Sequence, residues 1–200
     1  LLPILRDLAF LFSEREADQQ VVIFAQQALE LTPEEEVSAR LELSSQLAPA
    51  QLRLERKAEA EATYQEWLAL ASAHHGGGSP FLLPPMQALA RLLQQRGEVV
   101  EAQNLREQAW EILSQSPQVS EAEFVVPLED LARGAIEQSA WDKAEAWLRQ
   151  AYTIAEKHDA LASARLAYAL GEVFRSTSRL SEAENAIRRS LEVRQNSLGA

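Results

Sequence analysis

The chain has 200 residues, 46% of them hydrophobic and 24% charged, no cysteine, and a formal net charge of −11. Its 19 Lys and Arg are outnumbered by 30 Asp and Glu and form no tract, which argues against nucleic-acid binding, because phosphate contacts depend on clustered cations. No apolar run reaches the roughly 18 residues needed to span a bilayer, no cationic amphipathic stretch is built to lie on one, and the absence of Cys excludes disulfides and thiolate sites while leaving the compartment open.

In chain order, the first amphipathic run carries Leu8-Ala9 and a second carries Val21 and Ala28, closing on Leu29-Glu30-Leu31-Thr32-Pro33. Thr32-Pro33-Glu34-Glu35 reads as a helix start, with an N-cap, a proline at the first helical position and carboxylates Glu34 to Glu36 at the positive end of the dipole. The next pair of runs holds Leu47-Ala48, then Ala60 and Trp67. Pro49 falls inside the first of these, so that helix is expected to stop or bend near Ala48. Trp67 stands where the other units have a small residue, which allows a register shifted by two. His74-His75-Gly76-Gly77-Gly78-Ser79-Pro80 is expected to be an inter-unit loop, with a hinge as the alternative.

The third unit offers a start at Ser79-Pro80, then Leu89-Ala90, Gly97 at a helix end suited to positive φ, Ala102 and Ala109. The fourth offers a start at Ser120 with Glu123, then Leu131-Ala132, Ala144 and Ala151, and the fifth Leu170-Gly171, Ala183 and Ser190. Pro85 and Pro127 occupy one repeat position, so the first helices of these two units are expected to begin there, after a separate turn. The leading leucines Leu8, Leu47, Leu89, Leu131 and Leu170 are 39, 42, 42 and 39 residues apart. A fixed period of this size marks stacked repeats, each burying its apolar face only against its neighbours. The units run approximately 1–33, 34–75, 80–116, 120–158 and 159–197, in a single domain over 1–200. In four of them an acidic or amide residue follows the first small one: Glu61, Gln103, Glu145 and Glu184.

These residues resemble the tetratricopeptide repeat. Leu89-Ala90, Leu93, Ala102 and Ala109 match the family's large and small positions, as do Leu131-Ala132, Ala144, Leu148 and Ala151, and Leu170-Gly171, Phe174, Ala183, Ile187 and Ser190. The period near 42 and the ending from Ser190 to Gly199 are similar to the longer, kinesin-light-chain-like subtype. The resemblance implies an all-α fold, a right-handed superhelical solenoid of antiparallel helix pairs with about five repeats and ten helices. It also implies a concave groove, lined by the first helices, that binds a peptide or another protein. Its positions here are Gln87, Arg91 and Gln94 in the third unit, Glu129, Arg133 and Ile136 in the fourth, and Arg165, Tyr168, Glu172 and Arg175 in the fifth. Arg91 and Arg133 hold the same place in consecutive units and could pair with carboxylates or carbonyls of a bound segment. A solvated face with local ion pairs is the competing reading, since Glu129, Asp130 and Glu172 are interleaved. The Lys/Asn set with which some members clamp a chaperone C-terminus is missing, so no such clamp is expected.

Nothing in the chain points to catalysis, a cofactor or a metal. His74, His75 and His158 make no HExxH, the glycine run lacks a phosphate-loop ending, and no nucleophile elbow occurs. Trp67, Trp110, Trp141 and Trp147 lie at helix-packing positions and are expected in cores or between repeats. The chain begins Leu1-Leu2-Pro3 and breaks off within the family-like closing segment, so it is expected to be a piece of a longer protein. Two functions stand: an adaptor binding a protein or peptide in the groove, or a regulatory or sensor segment of a larger signalling protein or protease. Apolar faces on the terminal repeats invite self-association.

Overall fold

The computed structural model describes residues 1–117 and 119–198. Among them are ten α-helices, two short 3-10 turns and no strand. By internal contacts the chain divides into two compact units, Leu1–Arg96 and Gly97–Ala200. The division falls at the turn inside the third repeat, and residues 74–80 lie within the first unit.

The first unit holds α1 (Leu2–Ser13), α2 (Asp18–Leu31), α3 (Val37–Arg53), α4 (Lys57–His75) and α5 (Leu83–Gln95), each packed on the next. Its core joins Leu5, Ala9, Val21, Val22, Ala25, Ala28, Leu43, Leu47 and Ala50. The second unit holds α6 (Val99–Ser114), α7 (Val125–Glu137), α8 (Trp141–His158), α9 (Ala160–Ser176) and α10 (Leu180–Leu198), again packed in sequence. A continuous core runs from Val125 and Leu128 on α7 through Leu148 and Ile154 on α8 to Leu166 and Phe174 on α9.

The small residues of the repeat do what their size allows. Ala9, Ala48, Ala90, Ala132 and Gly171 are all buried, as are Val21, Ala60, Ala102, Ala144 and Ala183 thirteen positions after each leucine. Short side chains at these points let two helix backbones approach, and the flanking leucines fill the space on either side. The turn inside each helix pair is also the same. Its residue, eight after the leading leucine, is left-handed in every unit: Glu16 (φ 53), Glu55 (φ 60), Gly97 (φ 84), Ser139 (φ 55) and Ser178 (φ 60). The following N–H then reaches back across the helix end, from Ala17 to Phe12 O at 3.0 Å, Arg56 to Gln51 O at 2.9 Å, Ala140 to Ala135 O and Arg179 to Phe174 O at 2.8 Å. These bonds satisfy carbonyls that the helix end leaves open and fix the direction of reversal.

In the second, third and fourth pairs the residue fourteen after the leucine makes a link to the next first helix or its end. Glu61 holds Arg96 at 2.6 Å, the Gln103 amide donates to Leu131 O at 3.3 Å, and Glu145 pairs with Arg179.

Several expectations are corrected. Helix α3 does not stop near Ala48 but runs through Pro49 to Arg53, because packing of Leu43, Leu47 and Ala50 on α2 outweighs one missing backbone donor. Thr32 does not cap α3. Its hydroxyl donates to Ala28 O at 2.7 Å, its backbone is extended (φ −82, ψ 120) as a residue before proline must be, and α3 begins at Val37 behind Glu36. The register of α4 is not shifted by two, since Ala60 is buried while Ala62 and Ala69 are exposed. His74 and His75 belong to the last turn of α4 rather than to the glycine loop. Helices α5 and α7 start two residues ahead of Pro85 and Pro127, after 3-10 turns at Pro80–Leu82 and Glu121–Phe124. Ser79 and Ser120 open those turns, with the Ser120 N–H donating to the Glu123 carboxylate at 3.1 Å.

Candidate protein-interaction surface

The groove positions sit on the first helices of successive pairs. In the second unit, α7 and α9 bring Glu129 and Arg165 together: the guanidinium donates from Nε and Nη2 to the two carboxylate oxygens, both at 2.8 Å. That fork ties one first helix to the next and holds Arg165 above its ordinary pKa. Arg133 pairs with Asp130 one turn away, and Arg175 with Glu172 at 2.6 Å. Tyr168 is exposed beside them, while Ile136 is half-buried against the core. The surface is therefore a face of local ion pairs around an exposed tyrosine. In the first unit, Gln87 and Arg91 are exposed on α5 and Gln94 is half-buried. Arg6 on α1 bonds Glu42 on α3 at 2.8 Å, the counterpart of the Arg165–Glu129 bridge.

An apolar crevice of about 430 Å³ opens beside Glu42, between α3 and the start of α5. Its walls are Leu41 and Ser45 of α3, Phe81 and Pro84 ahead of and within α5, and Trp67 and His75 of α4 form its floor. The His75 ring stacks on Phe81, centroids 4.5 Å apart, and Trp67 stacks on Tyr64 at 6.0 Å. Phe81 is 64% exposed.

The crevice was only half legible from sequence. Trp67 departs from the small residue of the other units, which was the signal, but Leu41, His75 and Phe81 gave none. The other tryptophans behave as core: Trp110 meets Phe124 at 5.3 Å and Trp147 at 6.0 Å, both edge-on, and Trp141 is partly buried on the same core. A second cleft, about 480 Å³, lies between α8 and α10 over Phe174 of α9. Its charges are already matched, with Glu156 bonded by Tyr152 at 2.6 Å and Arg189 at 3.2 Å.

Among the described residues, no group of His, Asp or Glu could hold a metal ion and no helix is long and apolar enough to cross a membrane. The sequence pattern of the MalT-like TPR region matches residues 5–198. The chain belongs to that family. A TPR-like repeat structure of a kinesin light chain from Podosopora anserina is similar to it over 100% of this chain and 97% of that one, with a TM-score of 0.77 and 20% identity. BtubC (BKLC) from P. vanneervenii is similar over 96% of this chain and 79% of that one, with a TM-score of 0.78 and 17% identity. The apo form of RapI covers 100% of this chain and 85% of its own, with a TM-score of 0.67 and 13% identity. No curated protein matches the chain in sequence. At these identities the likeness is one of fold, and the TPR fold is one that generally mediates protein–protein interaction.

Proposed function

We propose that this TPR array is an adaptor that receives an extended peptide or protein segment along its first helices, with one large apolar side chain of that segment seated in the Trp67 crevice. The carrying observation is the crevice itself: an aromatic-floored cavity of about 430 Å³ on the face that also presents the Glu42–Arg6 pair. Ligand sites are concave and mostly apolar, with a few polar groups at the rim. The arginines of α7 and α9 give the second unit a binding face of its own even though they are paired. Exposed ion pairs are worth only about 0 to 1 kcal/mol, so a carboxylate or carbonyl of the incoming segment can take the place of Glu129, Asp130 or Glu172 at little cost.

The test is selection from a displayed random peptide library, followed by calorimetry on the winners. Enriched peptides are expected to share a large apolar residue and to lose at least tenfold in affinity (about 1.4 kcal/mol) to Leu41→Ser with Phe81→Ala. Arg91→Glu, exposed on α5 of the same unit, is expected to weaken the same peptides by a smaller factor, with circular dichroism unchanged. Enrichment that ignores all three substitutions would sink the reading.

A further inference from the structure

Two grooves of one kind lie in the second unit, each between consecutive second helices and floored by the first helix packed on both: α6 and α8 over α7, then α8 and α10 over α9. The earlier groove is filled from within. Trp110 of α6 and Trp147 of α8 meet edge-on across it with ring centroids 6.0 Å apart, Phe124 lies against Trp110 at 5.3 Å, and Lys143 of α8 bridges to Glu107 of α6 at 3.0 Å. In the later groove the repeat puts Tyr152 for Trp110, Arg149 for Glu107, Glu182 for Lys143 and Ala186 for Trp147. A methyl group stands where the earlier groove has an indole, and the volume left over is the cleft of about 480 Å³.

The shape of that cleft suits one flat ring. Its floor is apolar, formed by Ala167, Leu170 and Phe174, all buried. At one end Arg189 pairs with Glu156 at 3.2 Å; at the other Arg149 pairs with Glu145 at 2.8 Å and Arg179 with Glu182 at 2.6 Å. The rim charges offset one another, so the gap lacks apolar volume rather than a counter-charge. Between the two ends it opens to solvent past exposed Thr153 on α8 and Asn185 on α10. Nor does the opening depend on where the chain stops. The repeat that follows the earlier groove, α9 with α10, packs on α8 and not on α6; a repeat following α10 would by the same rule pack on α10 and leave α8 alone.

We propose that the cleft over Phe174 is a docking site for one tryptophan side chain of a partner protein, whose indole takes the place that Trp147 fills one repeat earlier. The chain itself supplies the template, a ring presented by a polypeptide backbone alongside a Tyr or Trp of the preceding second helix. Offset or edge-on contact with Tyr152 and Phe174 adds to the burial of apolar area. This site shares no residue with the Trp67 crevice, and either can fail without the other.

The test uses a neutral pentapeptide with a central fluorotryptophan, followed by fluorine NMR on the Leu41→Ser, Phe81→Ala chain, in which the Trp67 crevice is disabled. The resonance is expected to shift saturably, with an affinity several-fold above that of free fluoroindole. Adding Ala186→Trp restores the ring from within, so peptide binding is expected to disappear while the melting temperature rises. Ala186→Ile, a smaller filler, is expected to weaken binding several-fold and decides the matter if the larger residue disturbs folding. Glu192→Trp, exposed on the same helix, adds an indole outside the cleft and leaves the affinity unchanged. Absence of a saturable shift, binding that survives both fillers, or free fluoroindole binding as tightly as the peptide overturns the proposal, the last by making the cleft a small-molecule site.

Discussion

The second and fifth helix pairs are built from helices of the same lengths, 17 and 19 residues in each, yet they close differently. In the fifth pair the two close-contact positions are Gly171 and Ser190, both buried, and Ile187 lies so near that a Cβ on Gly171 would sit 2.6 Å from its Cγ1. In the second pair the same positions are Ala48 and Trp67, and the indole, too large to be enclosed there, is left half-buried on the floor of the crevice. Side-chain size at two repeat positions thus decides how closely the two helices of a pair meet there, although the fifth pair also borders a cleft, on its α8 side. The Trp67 crevice lies where the repeat departs from its own rule.

The largest effect that would break this contrast comes from filling the sealed pair. Gly171→Ala forces Ile187 or the helix itself to move, since the backbone oxygen of Ala183 is also only 3.3 Å from the added carbon. Overpacking of this kind costs about 1 to 3 kcal/mol. Urea unfolding is expected to show that loss with an unchanged m-value. The reciprocal change, Ala48→Gly in the second pair, removes a methyl and adds backbone entropy, for a loss of about 0.5 to 1 kcal/mol. Equal losses would mean that Ile187 does not hold α9 and α10 at their separation.

That ordering also explains what the sequence could reveal. The spacing of Leu8, Leu47, Leu89, Leu131 and Leu170 is a consequence of burial, and burial is written in residue size, so the helix pairs and their close contacts could be read directly. Gly97 announced its left-handed turn because glycine is the usual residue there. The same turn at Glu16, Glu55, Ser139 and Ser178 was silent, since nothing about those residues favours positive φ and the packing of the flanking helices imposes it. Pro49 and Thr32 misled for the related reason that local preference was outweighed by contacts far along the chain. The crevice needed Leu41, Trp67, His75 and Phe81 from three segments, and no local pattern joins them.

Those imposed turns sharpen the comparison by a smaller step. A left-handed residue with a Cβ costs about 1 to 2 kcal/mol, part of which glycine gives back as unfolded-state entropy. Ser178→Gly in the fifth pair and Glu55→Gly in the second are each expected to gain about 0.5 kcal/mol in chemical unfolding, because both hold the same φ near 60. A gain in one pair only would show that the turn, and not just the close-contact positions, distinguishes the two.

The smallest effect concerns how each pair is tied to its neighbour. Glu145 reaches from α8 to Arg179 just past the end of α9, and its carboxyl is held below the usual carboxylate range chiefly by the hydrogen bond from Arg179, with partial burial opposing and Arg149 adding to it. A folded pKa below the unfolded one means that the unfolded chain takes up a proton first as pH falls. The stabilisation is therefore complete above the ordinary carboxylate pKa, near 4.3 to 4.5, and is lost as pH drops through the lower folded value. Glu145→Gln is expected to lower the melting temperature slightly at neutral pH and to flatten its fall below about pH 5. An acid limb of unchanged slope would show that the clamp on the fifth pair contributes nothing through its charge, leaving the apolar packing of α8 on α9 as the whole of the attachment.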